Sequence, residues 1–371
     1  LVSDSISPMD AAKLDPKRVL AVITSDGTPT SHSAIIVRAA KLPMVVGLIG
    51  SGLIRTGSDL LVDANSGQVF LDPIAERIAH YANAANLDTQ VIRLLEDDRE
   101  APVTLLANLG SSFEAAGALA AGAKGVGLFR TELLYLGQTE PPTCEEQFVE
   151  YSNLLAAFNG KRVLVRVLDL DFDKPLPFLK EAGVGKYANR GLQVLLANPE
   201  VLDAQLNALA RAQAANPKTE LWVMAPMVLS VAEAQQFAKL ARAAGLKKVG
   251  VMIEVPEVTE AGVIEGIIDA VDFLSIGTND LTHYALGKSR HVAGDGAVAG
   301  TITLAETRKP EVFDLITRVI AAAKAAGKPV GICGESASDP ESAKLFIKLG
   351  VDSLSASSAL LPQLKAALLA G

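Results

Sequence analysis

Apolar residues fall along this chain in two rhythms. From residue 103 onward, short runs rich in Val, Ile and Leu recur: VTLLANL at 103–109, GVGLFRTE at 125–132, RVLVRVLD at 162–169 and ELWVMAPM at 220–227. They continue with KVGVMIEVP at 248–256, DFLSIGTND at 272–280, KPVGICGE at 328–335 and DSLSASS at 352–358. Unbroken apolar runs suit strands buried on both faces, as in parallel sheets. Between the runs the apolar spacing changes to threes and fours. Phe148, Tyr151, Leu154, Leu155 and Phe158 share one helical face; Leu202, Leu206, Leu209 and Ala210 share another. Further helices are expected at 112–121, 231–244, 258–267, 311–325, 340–348 and 361–369. Eight strands, each followed by a helix, predict a (β/α)8 barrel over residues 98–371. An open doubly wound sheet is the rival arrangement.

Ahead of this region the pattern differs. Arg18 to Thr24 reads as a strand, and Ser25-Asp26-Gly27-Thr28-Pro29 as a turn. Ser33 to Ala40 reads as a helix, Met44 to Gly47 and Asp59 to Asp63 as strands. Asn65-Ser66-Gly67 turns the chain into a last strand, Gln68 to Leu71. Residues 1–75 are thus expected to form a small α/β domain. Residues 76–97 are polar, helix-forming and free of Gly, as a stiff linker would be. The fold class is therefore α/β throughout: a small N-terminal domain and a C-terminal barrel.

Composition narrows the function classes. With 371 residues, one large domain plus a smaller one is the natural expectation. Hydrophobic residues make up 49%, which excludes general disorder. A net charge of −8 argues against nucleic acid as a partner, because a phosphate-tracking surface needs clustered Lys and Arg. No apolar run approaches the roughly 20 residues that span a bilayer, so no membrane role is expected. The two cysteines, Cys144 and Cys333, are too few for a disulfide framework. Together with the lack of a basic-then-apolar leader, this gives a cytoplasmic expectation.

Candidate chemistry gathers at one end of the expected barrel. Active sites of such barrels lie at the C-terminal ends of the strands. The polar residues there are Arg130-Thr131-Glu132, Asp169, Glu254, Asn279-Asp280 and Cys333-Gly334-Glu335. The opposite ends carry Arg162, Lys247, Lys248, Asp272 and Lys328, ordinary solvated entry residues. Mixed cations and carboxylates are what holding an anionic substrate through a metal requires. Glu254 inside an apolar run is hard to read as structural, since an unpaired buried carboxylate is costly. Cys333 would pass for inert core were it not beside Gly334-Glu335 at a strand end, whereas Cys144 reads as core or plain surface.

The residues then point to a family. Thr24 to Arg38 (TSDGTPTSHSAIIVR), followed by Lys41 to Gly47 (KLPMVVG), resembles the phosphohistidine signature of phosphoenolpyruvate-utilising enzymes. In that family the His, here His32, opens a helix after a Gly-rich turn and accepts a phosphoryl group. Neutral imidazole, with a pKa near about 6.5, is mostly nucleophilic at neutral pH. A helix N-terminus favours the anion it acquires. GVGLFRTE, RVLDLDFDKPLP at 166–177, NRG at 189–191, GVMIEVP at 250–256, SIGTNDLT at 275–282 and GICGE at 331–335 agree in the same order. The set most resembles Enzyme I of the bacterial phosphoenolpyruvate:sugar phosphotransferase system.

That resemblance implies a role for each matching residue. Arg130 and Arg166 clamp the phosphoryl group, for which a guanidinium fork is suited. Asn279 and Arg290 orient the substrate, and Arg190 lines the same mouth. Glu254 and Asp280, at adjacent strand ends, hold Mg²⁺. Cys333 protonates the enolate carbon to give pyruvate. Glu132 is expected as a partner of a site arginine. The resemblance further implies an HPr-like phosphocarrier protein as acceptor and a homodimer through the barrel.

Four departures stand against the family pattern. Gly27 is followed by Thr28-Pro29 where two glycines are usual. Asp171-Phe172 replaces a Gly-Gly pair, Ser289 stands before Arg290 in place of Asp, and Leu354-Ser355 replaces Met-Ser. The helical domain that docks HPr in Enzyme I has no counterpart in residues 1–16, so an excised fragment or shortened relative is expected. Two rival readings remain: a regulatory paralogue that binds phosphoenolpyruvate without turnover, and a piece of a synthase or dikinase that also uses a nucleotide.

Overall fold

The computed structural model describes residues 1–371 except 12, 28–31, 40–41, 49–50, 65–67, 74–77, 79–98, 136–137, 170–175, 183–186, 188, 288–303 and 371. The chain forms two compact units, Leu1–Gln90 and Val91–Gly371. Most of the expected linker at 76–97 lies outside the described residues.

The first unit carries a parallel sheet of β1 (Val2–Ser3), β2 (Val22–Thr24) and β3 (Met44–Val45), and a hairpin of β4 (Leu60–Asp63) and β5 (Gln68–Leu71). Helix α1 (Pro8–Ala11) and helix α2 (His32–Ala39) complete it. Ala11, Val22, Val37 and Leu42 form its small buried core. Strand β2 is shorter than the apolar pattern predicts. The Asp15 carbonyl takes the N–H groups of both Arg18 and Val19 at 2.9 Å, and this turn delays the strand to Val22. His32 opens α2 as expected, but its side chain lies outside the described residues. Ser33 ties the start of that helix down by donating from its hydroxyl to the Ile6 carbonyl at 2.6 Å.

The second unit is a closed barrel of eight parallel strands. They are β6 (Thr104–Leu109), β7 (Gly125–Arg130), β8 (Arg162–Arg166), β9 (Glu220–Ala225), β10 (Val249–Ile253), β11 (Phe273–Ile276), β12 (Val330–Ile332) and β13 (Ser353–Ser357). Each pairs with the next, and β13 returns to β6 from Ser353↔Thr104 to Ser357↔Asn108. Helices α3 (Ala115–Ala120), α4 (Cys144–Ala157), α5 (Gly191–Ala197) and α6 (Pro199–Ala215) follow the first three strands. Helices α7 (Val231–Ala243), α8 (Val263–Ala270), α9 (Thr278–Leu286), α10 (Pro310–Ala325), α11 (Pro340–Leu349) and α12 (Leu361–Leu369) complete the ring.

Apolar burial occurs in two layers. The larger core lies between strands and helices and includes Phe129, Tyr151, Val223, Phe237, Ile320 and Phe346. The smaller fills the barrel's interior with Leu128, Leu164, Trp222, Met224, Met252, Phe273 and Cys333. Gly250 makes room for the last aromatic: a Cβ there would lie 2.5 Å from the Phe273 ring. The outer core also holds a polar network. Gln147 accepts from the Tyr135 and Tyr151 hydroxyls at 3.0 and 3.1 Å, and Gln205 donates to Tyr151 at 3.0 Å while accepting from the Leu168 N–H at 2.9 Å. Buried polar groups need such partners, and these four side chains find them in one another and in the backbone of Leu168 and Pro142.

At the N-terminal strand ends, Arg162 stacks 4.6 Å over Trp222, Arg242 pairs with Asp272 at 3.2 Å and Lys328 caps the Val271 carbonyl. Several elements are shifted from the pattern. The run 272–280 is strand only to Ile276, and Asn279 and Asp280 sit in the first turn of α9. The helix expected at 258–267 begins at Val263, because Pro256–Thr259 forms a 3₁₀ turn and Gly262, at φ +86°, restarts the helix.

Candidate active site

A cavity of about 700 Å³ opens at the C-terminal ends of the strands. It is lined by Arg130, Arg166, Arg190, Glu254, Asn279, Asp280 and Cys333, so these seven expected site residues share one mouth. Arg290 and the Asp171-Phe172 departure lie outside the described residues.

Arg166 is the hub. It ends β8 and reaches Glu132 through Nη2 at 2.6 Å, Asp169 through Nη1 at 3.0 Å and Glu254 at 3.9 Å. Burial alone would weaken its charge, but these three carboxylates outweigh burial and hold the guanidinium well above its ordinary range. Its Nε has no partner among the described residues. Arg130, by contrast, ends β7 with its side chain exposed at the rim. Arg190 is buried and donates from Nη1 to Asp280 Oδ1 at 3.0 Å and to the Tyr284 hydroxyl at 2.8 Å.

The carboxylates are strained electrostatically. Glu254 follows β10, is 2% exposed, and accepts from the Met227 N–H at 2.9 Å. Burial, then the charges of Asp280 and Asp169, push it up to about 8. Asp169 is pushed up to about 6 by burial, with Arg166 opposing, and its Oδ1 is buried without a partner among the described residues. Such a group favours a bound cation or donor. Asp280 does not sit at a strand end next to Glu254. It comes from the first turn of α9, because Gly277 ends the β11 run and lets the helix start beside Glu254. A Cβ on Gly277 would lie 2.7 Å from Glu254 Oε1.

Among the described residues no group of three or more His, Cys, Asp or Glu is arranged to hold a metal ion. Mg²⁺ needs less than that: it is commonly held by one or two carboxylates, with substrate phosphate oxygens and waters completing the shell. Glu254 and Asp280, buried and lining the cavity, fit that requirement.

Cys333, directly after β12, is 4% exposed. Its Sγ accepts from the Ser275 hydroxyl at 3.3 Å and lies 3.7 Å from the Ile276 carbonyl. Burial pushes the thiol up to about 11, with the Ser275 hydrogen bond acting the other way. Asn279 accepts the Glu335 N–H at 3.0 Å and so joins α9 to the turn after Cys333.

Some residues that touch the site groups escaped the sequence reading. Asn108 donates to the carbonyls of Cys333 and Ser355 at 3.1 and 3.2 Å. A polar residue at the end of the run 103–109 was the available signal. Ser275 stood in the segment SIGTNDLT without a role of its own, and Tyr284 carried no signal. Glu132 holds Arg166 as expected.

A closed (β/α)8 barrel whose mouth gathers arginines, buried carboxylates and a thiol around one cavity defines an enzyme-type site for a small anionic ligand. The sequence matches "PEP-utilising enzyme, PEP-binding domain" over residues 76–370 and "PEP-utilising enzyme, mobile domain" over residues 1–67. The chain belongs to the family of phosphoenolpyruvate-utilising enzymes. It is 42% identical, over 99% of its length, to a phosphoenolpyruvate-protein phosphotransferase of Streptomyces coelicolor, and 36% identical over 99% to one of Haloferax volcanii. It spans 66% of the length of each of these two relatives. Among solved structures, an HpcH/Hpal aldolase/citrate lyase family protein of Burkholderia cenocepacia J2315 aligns over 76% of this chain and 97% of its own, at 19% identity and a TM-score of 0.43. That likeness is too distant to bear on function. Among the described residues no helix is long and apolar enough to cross a membrane.

Proposed function

We propose that this chain takes the phosphoryl group of phosphoenolpyruvate onto His32, releases pyruvate, and passes the group to an HPr-like phosphocarrier protein of a sugar phosphotransferase system. The observation that carries the reading is the single mouth shared by Arg130, Arg166, Glu254, Asp280 and Cys333. Phosphoryl transfer asks little covalent help of a protein; positioning and charge stabilisation dominate. Arg166, fixed by Glu132 and Asp169, presents a guanidinium whose orientation is set before substrate arrives. Arg130 at the rim meets the phosphoryl group, and Asn279, Arg190 and Arg290 orient the remaining oxygens. His32 attacks phosphorus, the bond from phosphorus to the enol oxygen breaks, and the enolate takes a proton from Cys333 at carbon.

Glu254 and Asp280 would hold Mg²⁺, which when bound neutralises charge on the phosphate and enolate oxygens. A mobile domain over residues 1–75, a helical linker at 76–97 and a barrel at 98–371 suit a histidine that must visit substrate and then leave. A homodimer through the barrel and a cytoplasmic location belong to the same reading. Two features support it: the relatives' name, and the carboxylate-braced arginine, which a merely structural barrel has no reason to build.

The test is incubation with phosphoenolpyruvate radiolabelled at phosphorus, with Mg²⁺ or with EDTA. Label on His32 that requires Mg²⁺, with pyruvate released in equal amount, is expected. Binding of phosphoenolpyruvate without label or pyruvate would favour a regulatory protein instead. Label that appears only with ATP present would favour a synthase or dikinase.

A further inference from the structure

We propose that Ser275 is a positioning residue for Cys333, aiming its sulfur and stabilising the negative charge left on it when the proton is delivered. The inference rests on the proposed role of Cys333 as proton donor and deepens it. Ser275 lies on β11, 2% exposed, with its side chain among the interior residues of the barrel. Its hydroxyl meets Cys333 Sγ at 3.3 Å. Interiors of such barrels are ordinarily filled by bulky branched side chains, and a serine here is a departure with a polar consequence.

Cys333 is otherwise badly placed to lose a proton. It packs with Leu128, Leu164, Trp222, Met224, Met252 and Phe273, and burial favours the neutral thiol. The charged groups whose fields reach it are Glu254 from the end of β10, Arg166 from β8 and Arg130 from β7. Glu254 opposes the thiolate and the two arginines favour it. Ser275 is the neutral donor that touches the sulfur itself. When the enolate carbon takes the proton, the enolate electron pair forms the C–H bond. The S–H bond breaks and leaves its electron pair on Sγ. The Ser275 hydroxyl keeps its own proton and turns a weak contact into a charge-assisted hydrogen bond. Solvent then restores the thiol.

Asn108 supplies the control. It holds the same residue, but through the backbone carbonyl at 3.1 Å rather than the sulfur. Loss of Asn108 disturbs placement alone, whereas loss of Ser275 also changes the acidity of the thiol.

The experiment uses the full chain carrying Cys144→Ser, so that Cys333 is the remaining thiol. Ser275→Ala, Asn108→Ala and Cys333→Ala are compared for pyruvate release. For the first two variants, thiolate absorbance is also followed against pH. Ser275→Ala should lower kcat about 10- to 100-fold, the range that losing a hydrogen bond to a charged group gives. KM should stay within a factor of about two, since uniform binding is untouched. Its thiol should titrate at higher pH than the parent's, and that of Asn108→Ala should not move. A parent-like kcat and thiol titration in Ser275→Ala, with Cys333→Ala inactive, would overturn the role of Ser275 while sparing that of Cys333. A parent-like rate in Cys333→Ala would remove both. A thiol shifted equally by Asn108→Ala and Ser275→Ala would reduce Ser275 to packing.

Discussion

Replacing Gly334 by Ala should disarm the barrel mouth while leaving the barrel folded. A Cβ at this position would overlap Thr278 Oγ1 and lie 2.9 Å from the Thr278 backbone nitrogen and 3.0 Å from Asn279 Oδ1. Ordinary contact begins at 3.4 Å, so the backbone of the first turn of α9 has to retreat by about half an ångström, and the Thr278 hydroxyl by about three times as much. Thr278 cannot simply swing aside. Its hydroxyl shares a 2.7 Å hydrogen bond with Ser336 Oγ, and both residues are buried. The turn displaced is the one that carries Asn279 and Asp280. Overpacking of this kind costs about 1–3 kcal/mol. For a large domain each kcal/mol moves Tm by about 2–4 °C, so a fall of about 2–12 °C is expected. Misplacement of site groups by about 1 Å can cost about 100-fold in rate. A shift of half that size should lower pyruvate formation by about 10- to 100-fold. The assay is steady-state pyruvate release with Mg²⁺, beside thermal unfolding followed by circular dichroism. Gly117→Ala is the matched control: it lies exposed in α3 with nothing within 4 Å of its added Cβ. There the change should raise stability by up to about 1 kcal/mol and leave activity alone. Parent-like activity and Tm in Gly334→Ala would refute the packing argument, because no gentle relaxation is available to the backbone contact.

Three further outcomes follow from other parts of the chain. Gln147→Leu removes the acceptor of both buried hydroxyls, Tyr135 and Tyr151, leaving Tyr151 only the Gln205 contact, and at about 1–3 kcal/mol per unmet donor should cost about 2–6 kcal/mol in urea unfolding; a loss within experimental error would contradict the network. The Cys333 thiol, pushed up to about 11, is the acid form below that value, so proton delivery should persist past the ordinary thiol value of about 8.5 and fade only as pH rises through about 11. A pH–rate profile whose alkaline limb near pH 8.5 disappears in Cys333→Ala would count against it. Glu254→Ala should abolish Mg²⁺-dependent pyruvate release without unfolding the barrel, read by activity with and without EDTA and by circular dichroism; full activity in EDTA would end the metal reading.

How much of this was legible follows from which forces leave a local trace. Burial on both faces leaves an unbroken apolar run, so each strand of the barrel appears in the sequence. Glu254 stands out because a carboxylate inside such a run violates that pattern. The boundary between β11 and α9 falls inside the run 272–280, where the polar Thr278-Asn279-Asp280 follow Gly277 and the backbone changes from strand to helix. Gln147 and Gln205 were invisible. Each sits at a helical position that reads as an ordinary polar residue, and only the packing of α4 against α6 shows that both are fully buried. Ser275 and Asn108 act on Cys333 from distances of 58 and 225 residues along the chain, and no spacing rule reaches that far.

The seam between β6 and β13 carries a consequence for the order of folding. Asn108 meets Ser355 across 247 residues, and its grip on the Cys333 carbonyl spans 225. Contacts between near neighbours in sequence, such as β6 with β7, can form early, whereas closing so long a loop has an entropy cost that only the completed ring offsets. Until then β6 is an open edge, with unpaired backbone groups on one side. The amide that holds the end of β12 therefore gains its partners only when the first and last strands join. A partly folded barrel can own every strand and helix and still lack a seated thiol, so, on the role proposed for Cys333, the proton donor is set only with the final closure of the ring.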